Sequence, residues 1–151
     1  MTPTNLAWIN KRVGMLKAER TLEIGSLDIN GAVGRTGEWT GLDMRAGPGV
    51  DIVANSHAIP YPDAGFDSVV CAEMLEHDDA PWLTAGEIHR VLRDKGALIV
   101  TVPGIGFKRH DFPSDYWRFT AAGLKALFHD FVTIEAVEDS TEHAVRAVFR
   151  K

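Results

Sequence analysis

The side chains able to do chemistry in this sequence fall into three groups. The first is Glu23 and Gly25, in the run Thr21-Leu22-Glu23-Ile24-Gly25-Ser26, with Asp43 twenty residues after Glu23. An apolar-alternating run that ends in an acid and a glycine, then breaks into a polar loop closed by Asn30-Gly31, suits a buried strand of an α/β sheet. Such a strand delivers backbone N–H groups to a ligand at the sheet's carboxyl edge. Glycine at position 25 lets that ligand approach the main chain closely. An acid at the tip of the second strand, at about this spacing, is the usual partner of a ribose diol. An ordinary βα turn with an unrelated surface acid carries the same two features, so they raise nucleoside binding without deciding it.

The second group is His77, His110 and Asp111. An imidazole titrates near neutrality and suits proton transfer, and an adjacent acid can orient it. Each has a plainer reading: His77 as a helix-start side chain packed beside a ligand, His110 and Asp111 as loop partners of Lys108, Arg109 or Arg118. Asp78 and Asp79 complete a cluster of metal-ligating types, yet adjacent acids before a helix are more often caps, and no metal site is expected. The third group is Tyr116, Trp117 and Arg118, followed by Phe119. Its rings can stack on a planar acceptor while Arg118 pairs with an anionic group. Equally, Trp117 and Phe119 can anchor a loop to the core.

The elements that must position these residues follow from periodicity. Thr4 to about Ala18 reads as a helix capped by Thr4, with Leu6, Ile9, Val13 and Leu16 on one face. Strands are expected at Thr21–Ile24, Glu38–Leu42, Val50–Ala54, Phe66–Cys71 and Ala97–Val102, and the second and third are joined by a loop too rich in breakers for a helix. Asp78 or Asp79 can cap a helix that has Pro81 in its first turn and runs to Arg93, with Trp82, Leu83, Ile88, Val91 and Leu92 facing inward. A last helix, Ala121–Phe128, precedes two alternating runs, Val132–Val137 and Ala144–Phe149. The fold class expected is α/β: a Rossmann-like sheet of seven strands, mostly parallel, with an antiparallel C-terminal hairpin, helices on both faces and shortened crossovers. Residues 1–151 form one domain, with 1–20 an N-terminal helix and 105–120, long and dense in functional side chains, a lid over the site.

Composition bounds the partners. With 45% hydrophobic and 25% charged residues this is an ordinary globular chain, and a net charge of −5 speaks against a broad duplex nucleic-acid surface. The single Cys71 sits in an apolar run and reads as a buried reduced thiol. No stretch is long and apolar enough to span a bilayer and no leader pattern is visible, so no membrane partner and a cytoplasmic location are expected.

Taken in order, the motifs resemble the small class I S-adenosylmethionine-dependent methyltransferases. The segments that carry the resemblance are Leu22-Glu23-Ile24-Gly25-Ser26, Gly41-Leu42-Asp43, Pro60-Tyr61-Pro62-Asp63-Ala64-Gly65-Phe66-Asp67, Glu73-Met74-Leu75-Glu76-His77 and His89 to Leu98. The resemblance implies S-adenosylmethionine as cofactor and assigns roles by position. Glu23 would help hold the methionine end, with Gly25 and Ser26 offering backbone contacts. Asp43 would bind the ribose hydroxyls and Met44 flank the adenine. Asn55, with Ser56 behind it, would meet the adenine amino group, and Glu73 and Met74 would border the transferred methyl. The loop departs from the family pattern, because Leu27 and Ile29 stand where two further glycines are usual and Gly31 comes late.

The function so implied is methyl transfer to N or O of a small-molecule acceptor. The acceptor site would be formed by the N-terminal helix, the lid and, in a homo-oligomer, a second subunit. Two other readings stay open at this point: a catalytically silent binding or assembly module, and a nicotinamide-dependent oxidoreductase, against which the missing glycines count.

Overall fold

The computed structural model describes residues 1–27, 33–111 and 114–151. Seven strands, β1 Arg20–Ile24, β2 Glu38–Asp43, β3 Ile52–Val53, β4 Phe66–Ala72, β5 Leu92–Pro103, β6 Val132–Asp139 and β7 Ala144–Arg150, form one sheet in the order β3-β2-β1-β4-β5-β7-β6. Strands β1 to β5 run parallel, and β7 is antiparallel to both of its neighbours. Strand order reverses between β1 and β4, which opens a crevice at their carboxyl ends.

Alternation along the central strands sends neighbouring side chains to opposite faces, as the pleat requires. Val70, Ile99 and Val148 meet Ile9 and Val13 of α1, Pro3–Leu16, on one face. Val69, Cys71, Leu98, Val100 and Phe149 pack on the other face with Ala85 and Ile88 of α2, Pro81–Val91, and Leu124 of α3, Ala121–Leu127. Cys71 is a free thiol at the centre of this layer, and burial pushes its pKa up.

Four expectations are corrected. Helix α1 is capped by Thr2, whose Oγ1 accepts the Asn5 amide at 3.1 Å, and not by Thr4. Pro3 takes the first helical position, where its missing N–H costs nothing. Helix α2 stops at Val91, because Leu92 is already extended and pairs with Phe66 through a register shift ahead of the Ser68–Ala97 pair. Its inward face is Pro81, Thr84, Ala85, Ile88 and Val91, at helical spacing, so Trp82 and Leu83 are turned outward and are 59% and 48% exposed. Ala80 precedes α2 without a side-chain cap; the Asp78 carboxylate accepts the Ala80 amide at 2.9 Å.

The irregular stretch after β3 is held by one residue of α2. Arg90 donates to the carbonyls of Ile59 and Tyr61 at 2.8 and 2.7 Å, to Asp63 at 2.9 Å and to both oxygens of Glu87 at 2.8 Å. Glu87 also accepts the Ile59 amide at 2.7 Å. The Arg90 guanidinium holds the Glu87 carboxyl below its ordinary pKa, and the Ile59 amide adds to this. A carboxyl depressed in the folded state stabilises fully above its unfolded value, about 4.3, and loses that contribution as pH falls through the lower folded value. Glu87→Gln should therefore melt below the wild type at neutral pH, with the two melting temperatures converging between about pH 5 and pH 3. A gap that stays constant over that range would show that charge is not what closes this clamp.

Candidate active site

A cavity of about 570 Å³ opens at the carboxyl ends of β1, β2 and β4, within the roughly 300–1,000 Å³ usual for small-ligand sites. Glu23, Gly25 and Ser26 border it from the end of β1, and Asp43 and Met44 from the end of β2. Asn55 and Ser56, after β3, and Glu73 and Met74, after β4, complete the set. The structure thus brings together all nine positions that the resemblance assigned to the cofactor.

Local chemistry explains how each is held. Gly25 has φ 77°, and a Cβ there would lie 2.9 Å from the side chain of Met74, so the chain leaves β1 directly beneath that residue. The amides of Gly25 and Ser26 both donate to the Leu42 carbonyl, at 2.9 and 3.1 Å. They tie β1 to β2 and are not presented to a ligand as expected. The Ser26 hydroxyl is buried and, among the described residues, has no hydrogen-bond partner. Of the variant glycine loop, 28–32 lie outside the described residues.

Asp43 accepts the Arg45 amide at 2.9 Å, with the Leu27 amide at 3.4 Å from its other oxygen. A carboxylate has about four acceptor sites, so two ligand hydroxyls can still be received. Glu23 accepts from the indole N–H of Trp39 at 2.8 Å and from Arg35 at 3.1 Å. Glu73, at φ 52°, accepts from the amide group of Asn5 at 2.9 Å, and Asn5 in turn accepts from Arg146 at 2.6 Å. Helix α1 and strand β7 therefore fix the acid beside the site. Asn5, Arg35, Trp39 and Arg146 were not foreseen. The one signal was Asn5 itself, a polar residue four positions before Ile9 on the apolar stripe of α1. The Asn55 side-chain oxygen accepts the His57 amide at 2.9 Å and so closes its own turn, while the hydroxyls of Ser56 and Thr84 lie 2.8 Å apart beneath it.

The 105–120 segment, of which 112–113 lie outside the described residues, is strapped to the single 3₁₀ turn Leu75–His77 that follows β4. The Tyr116 and Trp117 amides donate to the Glu76 carbonyl at 2.7 and 3.3 Å, and the Trp117 indole donates to the Asp78 carbonyl at 2.6 Å. Arg118 binds both oxygens of Asp115, at 2.5 and 2.6 Å, and the carbonyls of Phe107, Lys108 and Trp117. It clasps the segment from within. Tyr116 and Trp117 are 54% and 38% exposed and, with Arg118, stand outside the cavity wall.

His77 and His110 do border the cavity, with ring centroids 4.9 Å apart. Asp111 pairs with Arg109 at 3.0 Å on the surface. The acid against His110 is instead Asp115, which accepts its backbone amide at 2.7 Å and lies 3.4 Å from its Nδ1. Glu76, between the two imidazoles, was also missed. Its side chain is fully buried, and burial, with the charge of Glu73 adding, pushes its pKa well up.

Among the described residues, five carboxylates, Glu23, Asp43, Glu73, Asp78 and Asp79, border the cavity with one guanidinium, that of Arg45, while Arg35 pairs with Glu23 from outside the wall. Such a wall attracts a cationic ligand and repels a pyrophosphate. This strand order, with its one reversed strand and a nucleoside-sized acidic cavity at the switch point, is the architecture of the class I methyltransferases. Residues 36–100 match the sequence family described as a methyltransferase domain. A ubiquinone biosynthesis O-methyltransferase of Azoarcus sp. is 29% identical over 131 residues, which cover 74% of this chain and 55% of the relative. Among solved structures, a SAM-dependent methyltransferase from Aquifex aeolicus superposes with a TM-score of 0.71 at 15% identity, covering 99% of this chain and 93% of that one. The 1,6-didemethyltoxoflavin-N1-methyltransferase of Burkholderia thailandensis, solved with 1,6-didemethyltoxoflavin and S-adenosylhomocysteine bound, gives a TM-score of 0.71 at 18% identity over 99% of this chain and 77% of that one. The chain has the fold of these S-adenosylmethionine-dependent methyltransferases, and its residues 36–100 match the methyltransferase-domain family. It spans about half the length of the curated relatives it matches.

The cavity fits the cofactor of that class. Its acidic wall complements a sulfonium and an ammonium group, and the orphaned Ser26 hydroxyl offers a polar contact inside it. No helix among the described residues is long and apolar enough to cross a membrane.

Proposed function

We propose that this domain binds S-adenosylmethionine in the cavity at the ends of β1, β2 and β4 and directs its methyl group to O or N of a small-molecule acceptor, in the cytoplasm. The observation that carries the reading is the convergence of Gly25, Asp43, Asn55, Glu73 and Met74 on one acidic cavity at the strand-order switch. The cofactor supplies a carbon already activated by the sulfonium charge, so the chain's work is to align an acceptor and exclude water. Asp43 receives the ribose hydroxyls. Glu73, fixed by Asn5, sets the negative field beside the methyl. Met74 closes over Gly25 and keeps that wall apolar. The acceptor meets the methyl where His77 and His110 border the cavity; Tyr116 and Trp117 form the outer rim.

Support for a small acceptor comes from the small-molecule enzymes among the structural neighbours, such as the 1,6-didemethyltoxoflavin-N1-methyltransferase. An oxidoreductase reading is disfavoured by the carboxylate wall, which opposes a dinucleotide's phosphates. Calorimetric titration of the full chain with S-adenosylmethionine, S-adenosylhomocysteine and a nicotinamide dinucleotide tests the proposal. Binding of both adenosyl ligands, with none of the dinucleotide, is expected. Failure to bind either adenosyl ligand at millimolar concentration would leave the silent binding module as the better account.

A further inference from the structure

We propose that Glu76, His77 and His110 form a divalent-cation site that joins the turn after β4 to the 105–120 segment, beside the cavity. The carboxylate of Glu76 has no side-chain exposure, and neither of its oxygens has a hydrogen-bond partner among the described residues. A buried carboxylate left so is costly unless something of opposite charge meets it. What faces it is a pair of imidazole nitrogens: Nε2 of His77 and Nε2 of His110 each lie 3.7 Å from Oε1 of Glu76.

The tautomer of His77 is set from behind. Nδ1 of His77 bonds the Ser114 carbonyl, which can only accept, so Nδ1 carries the proton and the Nε2 lone pair points toward Glu76. Nδ1 of His110 lies 3.4 Å from an Asp115 oxygen, which Arg118 also fixes. Imidazoles that ligate metals are oriented in this way, their other ring nitrogen donating to a carbonyl or carboxylate.

The spacing suits an ion as well. Two atoms each about 2.1 Å from a tetrahedral ion stand about 3.4 Å apart. Each Nε2 is 3.7 Å from Oε1, a few tenths of an ångström beyond that spacing, and all three ligand atoms lie within 4.8 Å of one another, so side-chain movements on the order of an ångström at most close the set. Two nitrogens and one oxygen favour zinc, cobalt or manganese over magnesium or calcium. Three protein ligands leave a tetrahedral ion one further position, next to the cavity that both imidazoles border. His57, Asp78 and Asp79 also stand close enough to share an ion, but the Asp78 oxygens are already bonded to His57, Ala80 and Thr84. The site differs from the set considered in the sequence, since Glu76 and not Asp78, Asp79 or Asp111 is the acid.

The test uses the full chain, stripped with a chelator and titrated with Co²⁺ and then Zn²⁺. One equivalent of Co²⁺ should bind with the visible absorption of a nitrogen-ligated ion, be displaced by Zn²⁺, and raise the melting temperature. Glu76→Gln and His110→Ala should each weaken binding tenfold or more, while Asp111→Asn binds as the wild type does. Because His110 is 41% exposed, its variant stays informative if Glu76→Gln does not fold. No stoichiometric Co²⁺ binding, or unchanged affinity in either folded variant, overturns the proposal. Titrating the same variants with S-adenosylmethionine keeps the outcome separate from the cofactor reading, which does not depend on it.

Discussion

Gly41→Ala should lower the melting temperature by roughly 6–12 °C, the shift expected from about 3 kcal/mol lost in a domain of this size. Gly41 lies in β2, opposite Glu23 of β1. A Cβ placed there would sit 1.9 Å from the Gly49 carbonyl oxygen and 2.7 Å from the Ser26 hydroxyl. No rotamer relieves a clash with backbone. The 45–51 loop is also pinned to this residue from both sides, since Gly41 donates to the Asp51 carboxylate and accepts the Asp51 amide, each at 2.8 Å. Relief therefore means moving the loop and giving up both bonds. A control separates this from a general intolerance of alanine: Gly14, in α1, has nothing within 4 Å of an added Cβ. Gly14→Ala should stabilise by about 0.5–1 kcal/mol through helix propensity. Equal melting temperatures for the two variants would refute the packing described around β2.

That contact also marks where the sequence stops being readable. The strands, their parallel order and the reversal in the terminal hairpin follow from periodicity, because a two-residue repeat between breakers leaves few alternatives. Asp43 was legible for the same reason, because it is set by where a strand ends, whereas Glu73 was singled out only through the family resemblance. What was not legible lies where chain segments distant in sequence meet. Asn5 reaches Glu73 across 68 positions and Arg146 reaches Asn5 across 141, and no local pattern encodes either bond. The pairing of His110 with Asp115 rather than Asp111 has a different cause. Adjacent side chains on an extended segment point apart, so Asp111 was the poorer geometric partner, and Arg118 had already drawn Asp115 inward. Trp82 and Leu83 show the same limit on a helix, where hydrophobic type alone did not reveal the buried stripe.

Asp43→Ala should weaken S-adenosylmethionine binding by roughly 1–3 kcal/mol, about 5- to 150-fold, while leaving a folded domain. The carboxylate sits at the end of β2 on the cavity wall, and its two oxygens keep acceptor capacity beyond the amides of Leu27 and Arg45. Charge-assisted bonds to a hydroxyl pair are the strong kind, and removing the acceptor leaves those hydroxyls buried and unmet. Loss of affinity alone would not prove the assignment, because the same change also frees the Arg45 amide and loosens the turn. Asp43→Asn separates the two effects, since an amide oxygen can still accept from Arg45 while the charge is gone. It should bind with intermediate affinity. The decisive comparison uses adenosine and 2′-deoxyadenosine as competing ligands. Wild type should prefer adenosine, and Asp43→Ala should bind both alike, because a site that no longer bonds the hydroxyl cannot tell whether it is there. If the variant keeps the wild-type preference, Asp43 does not read the ribose, and the placement of the cofactor across β1 and β2 would have to be redrawn.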